Sequence, residues 1–173
     1  MNISSIIIPA AVALVMAALL AASKKKPKED INGNKVLRLP ILYTLIGGIA
    51  TVGSLVILVY GLLTSEPEET VFVLIFFLAV AGLGVPLLLM GVVFKIVITP
   101  DGIEQTTMLG KIKTMRWIDI TAITFGNVSL ELKIRSRDQK IKAHLHLVGF
   151  PDLINEIESN TKFTRTEMGV ANV

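Results

Sequence analysis

The sequence has no cysteine, one tryptophan, two tyrosines and only 18% charged residues against 52% hydrophobic ones. Without cysteine there is no disulfide framework, no thiolate nucleophile and no cysteine-ligated metal or redox centre. Charge this sparse excludes a single soluble globule, since ordinary soluble chains carry about 25% charged residues. Familiar catalytic signatures are missing too: no G-x-S-x-G, no Walker A loop, no H-E-x-x-H and no paired carboxylates in an apolar setting. No residue is therefore a candidate catalytic or cofactor-binding group. The chain is not expected to be an enzyme, nor to carry a cofactor or a metal.

What the sequence does have is three long apolar runs, all within the first 95 residues. Residues 6–22, 41–63 and 71–94 contain no charge, and the third run closes at Lys95. A helix rises about 1.5 Å per residue, so roughly 20 residues cross a hydrocarbon core about 30 Å thick. The second and third runs exceed that length, and the first lies at its short edge. Signal peptides carry positive charge before the apolar stretch, whereas here it follows, so the first run is expected to be a retained anchor despite its Ala-Ala-Ser ending. The pattern predicts a membrane region over 1–93, with spans at about 6–22, 41–63 and 71–93. No ionisable side chain interrupts them, which argues against a transport path or proton relay. Gly47, Ala50, Thr51 and Ser54 in the second run, with Ala79 and Gly82 in the third, would permit close helix approach, although glycine is common in membrane helices generally.

Loop charge predicts the orientation. Lys24, Lys25, Lys26, Lys28, Lys35 and Arg38 lie in the loop 24–38, whereas the loop 64–70 carries Glu66, Glu68 and Glu69 and no cation. Short loops rich in lysine and arginine stay cytoplasmic. The basic loop and the C-terminal domain are thus expected inside, and the acidic loop and the N-terminus outside. With Glu29 and Asp30 subtracted, the basic loop alone exceeds the net charge of +3 of the whole chain. The basic balance is then a matter of topology, and nucleic acid is not an expected partner, because neither a recognition-helix pattern nor an aromatic-interleaved basic strand is present.

From residue 94 the apolar residues alternate instead of running on. Strands are predicted at 94–99, 103–108, 112–116, 120–125, 130–135 and 140–148, separated by the turn residues Pro100-Asp101-Gly102, Leu109-Gly110, Gly126-Asn127 and Ser136-Arg137-Asp138. Leu153, Ile154 and Ile157 then recur at helical spacing, with Pro151 and Asp152 suited to a helix start and Asn160 to its end. The tail 161–173 lacks an apolar period and is expected to be loose.

Within this region Thr99, Gly102 and Ile103, then Gly110, then Trp117, Asp119 and Ile120 follow a strand, turn, short hairpin and W-x-D-I order. The stretch resembles the bacterial pleckstrin-homology-like domains that follow membrane helices in many small bacterial proteins, over about residues 94–160. The resemblance implies two antiparallel sheets in a partly open barrel, capped by a C-terminal helix, at the bacterial inner membrane. It does not imply phosphoinositide binding, and the bacterial versions look like adaptors or oligomerisation modules. Six strands are read here where the full fold has seven.

The most pointed surface feature is the hairpin 129–147. Leu132 and Ile134 alternate with Lys133 and Arg135, and Ile141 and Ala143 with Lys140 and Lys142, so that one face is apolar and the other basic. Lys133, Arg135, Arg137, Lys140 and Lys142 are the candidate contacts to an anionic surface, although edge lysines also simply protect a strand pair from aggregation. His144 and His146 share a face, but a metal site needs further ligands that the sequence does not supply. Trp117 is expected to pack against the sheet and Asp119 to close a turn through backbone contacts. The expected function is a membrane-anchored scaffold that docks a protein partner or a second copy, with anionic-lipid sensing and an accessory role beside a transporter or envelope enzyme as alternatives.

Overall fold

The computed structural model describes residues 4–170, and the chain divides into two compact units. One is formed by Ile41–Phe94 together with Thr107–Lys111. The other comprises the described chain up to Pro40, Lys95–Thr106 and the chain from Ile112 onward.

The first unit is a helical hairpin of α2 (Ile41–Thr64) and α3 (Pro67–Val92), both long and apolar enough to cross a membrane. Pro67 opens α3 where a missing N–H costs nothing, and Glu68 and Glu69 sit in its first turn against the positive end of the helix dipole. The acidic segment expected as a loop over 64–70 is thus mostly helix, with Ser65 and Glu66 alone left between α2 and α3. The two helices touch along small residues. Gly47, Ser54 and Gly61 are the buried positions of α2 and recur every seven residues. On α3, Gly84 meets Ala50 and Thr51, each 3.0 Å from where a Cβ would stand, and Gly91 makes room for Thr44. A seven-residue repeat keeps one stripe facing the partner helix, and small side chains bring the backbones together. Gly47, Ala50, Thr51 and Ser54, which the sequence marks as able to permit close approach, are on this seam, whereas Ala79 is exposed and Gly82 has open space where its Cβ would lie.

The second unit begins with α1 (Ser4–Ser23) and continues through β1 (Lys28–Glu29) and β2 (Lys35–Arg38). After the helical hairpin come β3 (Lys95–Thr99), β4 (Gly102–Thr106), β5 (Ile112–Arg116), β6 (Ala122–Gly126), β7 (Glu131–Arg135), β8 (Lys140–His144), α4 (Phe150–Asn160) and the short α5 (Arg165–Met168). Strands β1 to β5 form one antiparallel sheet in chain order and β6 to β8 a second. The segment 24–38 is therefore not merely a loop between helices. Its β2 pairs directly with β3, Lys35 opposite Ile98 and Arg38 opposite Lys95. On its other side β2 pairs with β1 through the turn Asp30-Ile31-Asn32-Gly33-Asn34: Asp30 Oδ1 accepts from the Asn32 and Asn34 N–H groups at 2.8 and 2.9 Å, and Gly33 takes φ +79°. An Asn-Gly pair between two extended segments is a strong hairpin signal.

The core between the sheets and α4 is made of Leu37, Ile96, Ile103, Leu132, Ile134, Ile141, Leu153 and Ile157, all fully buried. In α4, Phe150, Leu153, Ile154 and Ile157 recur with the period of one helix face, as the sequence predicts. The tail is not loose through Val170. Thr164 and Glu167 form a reciprocal capping box at the start of α5, and Met168 and Val170 are each 1% exposed. Residues 171–173 lie outside the described chain.

Candidate functional site

The three-stranded sheet presents two different faces. Phe125, Leu132 and Ala143 stand in register, as do Ile123, Ile134 and Ile141, and apart from the partly exposed Phe125 these side chains are buried. Period two then forces the intervening residues onto the other face. There Lys133 stands opposite Lys142, and Arg135 opposite Lys140. On the β6 side their neighbours are Thr124 and Ala122, which contribute no countercharge. Facing side chains across an antiparallel pair have Cβ atoms about 4.5–5.5 Å apart, and like charges so placed are destabilising. The core holds them there regardless, because a slip of one residue would bury the cations and expose the isoleucines.

The single carboxylate on this face, Glu131, is bound to Lys142 at 3.1 Å. Among the described residues no carboxylate pairs with Lys133, Arg135, Arg137 or Lys140. Lys140 is held below the usual lysine range by partial loss of solvent and then by the charges of Arg135, Lys133 and Lys142, against which Glu131 acts weakly. A group that gives up its proton more readily because of neighbouring cations marks a locally positive potential. Arg137 occupies the β7–β8 turn, whose backbone is closed by the Ser136 N–H donating to the Gln139 carbonyl at 3.0 Å. It lines a polar cleft of about 410 Å³ together with Arg116, Asp119, Thr121 and Asp138.

The outer edge of β8 is not left open. Gln105 Nε2 donates to the Lys142 carbonyl, and Lys113 Nζ donates to the Lys140 carbonyl at 3.1 Å. These bonds join the two sheets through side chains and satisfy carbonyls that a free edge would expose. Gln105 is buried, which the local sequence gives no reason to expect.

Other candidate residues have structural roles. Lys35 binds Glu156 at 2.8 Å and lies 3.8 Å from Asp152, tying β2 to α4, and the Glu156 bond raises the affinity of Lys35 for its proton. Lys24, Lys25, Lys26, Lys28 and Arg38 are exposed. Trp117 packs as expected, and its indole donates to the Pro100 carbonyl at 3.1 Å. Asp119 differs from the expectation: it forms a two-pronged ion pair with Arg116, at 2.8 and 3.1 Å, rather than closing a turn through the backbone. The two histidines also part company. His144 ends β8 on the basic face, whereas His146 lies beyond the strand and is 4% exposed, with the ring centroids 4.7 Å apart. Burial lowers the proton affinity of both, and the neighbouring His146 lowers that of His144 further. Among the described residues no three histidine or acidic side chains stand together as metal ligands. No protein-family model matches the chain, and no curated protein or solved structure matches it either.

Proposed function

We propose that the protein is a membrane-anchored binding module at the bacterial inner membrane, which presents the basic face of β6–β8 to an acidic surface on a partner protein in the cytoplasm. The observation that carries this reading is the like-charge register of Lys133 with Lys142 and Arg135 with Lys140. Such pairs work against folding, so the face is better explained by a countercharge supplied from outside. Two copies meeting through this face would set cation against cation, which favours a different, acidic partner over self-association here.

The anchor in this reading is α1, α2 and α3, with the N-terminus outside and the β unit inside. Pairing of β2 with β3 supports it, because the segments on either side of the α2–α3 hairpin must then lie on one side of any membrane the hairpin crosses. That side carries Lys24, Lys25, Lys26, Lys28, Lys35 and Arg38, which agrees with the preference of cations for the cytoplasm. Two antiparallel sheets followed by α4 are also the arrangement a pleckstrin-homology-like domain would have.

The test is the intact mass of the full-length protein taken from its source membrane in native nanodiscs, as wild type and with Lys133, Arg135, Lys140 and Lys142 changed to Gln. A stoichiometric acidic partner present with the wild type and lost from the variant is the expected result. A discrete homo-oligomer that survives the substitutions would replace this reading with self-assembly. Co-purifying anionic lipid, lost with the charges and unaccompanied by protein, would replace it with lipid sensing. A partner retained after removal of the β unit would make the protein an accessory subunit held through its helices.

A further inference from the structure

The tip of the β4–β5 hairpin is apolar and exposed. Leu109 and Ile112 are each 70% exposed and Met108 40%. The backbone that carries them is closed on itself. The Thr107 N–H donates to the Lys111 carbonyl at 2.8 Å, the Gly110 N–H donates to the Thr107 carbonyl at 2.9 Å, and Gly110 takes φ +77°. A three-residue hairpin loop with glycine in the left-handed position is a rigid, self-closed turn. The turn thus presents Met108 and Leu109 on a fixed backbone, with both side chains exposed.

The register of the sheet says where this tip points. Thr106 pairs with Lys95, Ile112 with Thr106, and Arg38 with Lys95. Lys95 follows the last residue of α3 after only Val93 and Phe94, and Arg38 precedes the first residue of α2 by Leu39 and Pro40. The hairpin therefore turns at the end of the sheet from which the chain passes to both long helices. Its tip extends past Lys95 by roughly 10 Å, at about 3.4 Å per residue. At the other end of the sheet the turns are polar, made of Asp30–Asn34 and of Pro100 and Asp101, with Ile31 and Ile118 as separate exposed apolar side chains rather than a cluster within one turn. Lys111 and Arg38, both exposed, belong to the apolar end. Apolar tips beneath a collar of cations suit the boundary between acyl chains and anionic headgroups.

We propose that Met108, Leu109 and Ile112 form a second membrane contact, seated in the headgroup–acyl boundary of the bilayer, with Lys111 and Arg38 at the phosphate level. This rests on α2 and α3 spanning the membrane.

The absence of native cysteine allows a clean test. Leu109→Cys, Ile31→Cys and Leu78→Cys variants of the full chain, each carrying one environment-sensitive fluorophore, are reconstituted in vesicles of phosphatidylethanolamine and phosphatidylglycerol. The label at 109 is expected to be several-fold less accessible to aqueous iodide than the label at 31, and to be quenched by lipids bearing a nitroxide near the headgroup. The label at 78, within α3, is expected to be quenched by nitroxides deep in the acyl chains. Accessibility at 109 equal to that at 31, with 78 still quenched from the acyl region, would overturn the hairpin contact alone. Protection at 109 without quenching by lipid would also overturn it, since a protein would then cover the tip. A label at 78 open to iodide would overturn the spanning reading and the hairpin contact with it.

Discussion

In the helical hairpin the close contacts are made at glycines, which meet Thr44, Ala50, Thr51, Val73 and the Leu88 backbone, while large apolar side chains such as Leu63, Phe72 and Leu83 point outward. In the β unit the residues that touch are leucine, isoleucine and phenylalanine, and the outward side chains of β7 and β8 are lysine and arginine. Both units are rich in aliphatic residues, yet they spend them on opposite surfaces. Water outside drives large apolar groups together. Between helices that span a bilayer, as proposed for α2 and α3, that force is missing, and close backbone approach takes its place. The contrast makes core substitutions in the two units fail for opposite reasons: too little volume in one, too much in the other.

The largest effect is expected in the β unit. Leu132 is fully buried, and Leu132→Ala should cost about 2–5 kcal/mol through lost burial and a residual cavity. The single tryptophan, buried at Trp117, reports this by fluorescence during urea unfolding of the detergent-solubilised protein. Next comes the reverse change in the helical hairpin. Gly47→Val would place its Cβ against the Leu88 backbone and 2.9 Å from the Gly84 carbonyl oxygen, at a cost of about 1–3 kcal/mol. Gly53→Val, where the structure leaves open space, is the matched control and should leave thermal stability in detergent nearly unchanged. If the two valines proved equivalent, the small-residue seam would not be what closes the hairpin.

A smaller effect tests how the segment before α2 is fastened to the β unit. Gly149 takes φ +84°, its N–H donates to the Ser23 carbonyl, and a Cβ there would stand 2.8–2.9 Å from the Pro27 ring. Gly149→Ala should cost about 1–2 kcal/mol from the left-handed backbone alone. The same Trp117-monitored unfolding measures it.

Acid should act on the β unit through His144 and His146. Both bind protons less readily in the folded chain than at the ordinary value of about 6.5. Below that value the unfolded chain therefore takes up more protons than the folded one, and stability must fall as pH falls. It should be flat from these groups above about pH 7, and His146→Gln should reduce the slope on the acid side. Unfolding curves at stepped pH give the answer. The smallest expected change has the opposite sign: Lys140→Glu, which sets a carboxylate opposite Arg135, should stabilise by about 0.2–1 kcal/mol while weakening attachment of the proposed acidic partner. A variant both more stable and less competent would show that the basic face is kept for binding.

Much of this architecture was legible from local pattern. The period-two alternation locates β3 to β8 within a few residues, and the 3.6 period locates α4. The basic face of β7 and β8 follows from the same alternation. The elements that escaped were those whose local signal was overlain by a stronger one. In 24–38 the run of lysines reads as a topology signal, and it hides the Asn32-Gly33 turn that makes two strands of the segment. In the tail, Thr164 and Glu167 spell a capping box, but α5 is a single turn without a visible apolar period. The heptad of Gly47, Ser54 and Gly61 is plain in the sequence once contacts rather than apolar runs are sought. Gln105 and Lys113 are different, because nothing local links them to the carbonyls of β8. Their partners lie 37 and 27 residues away, and only the folded sheets bring them together.

Pairing of Arg38 with Lys95 has a consequence for how such a chain is made. The two residues are neighbours in one antiparallel ladder, yet 56 residues separate them in the chain. Topologically the whole helical pair is an insertion at a β-turn, the place where loop tips best tolerate added chain. On the ribosome, β1 and β2 are therefore finished long before β3 exists, and Leu37 must wait without its full core until the helical pair has been made and β3 emerges. Excising 39–94 and closing Arg38 to Lys95 with Asn-Gly would restore an ordinary two-residue turn and turn a late, interrupted pairing into an immediate one.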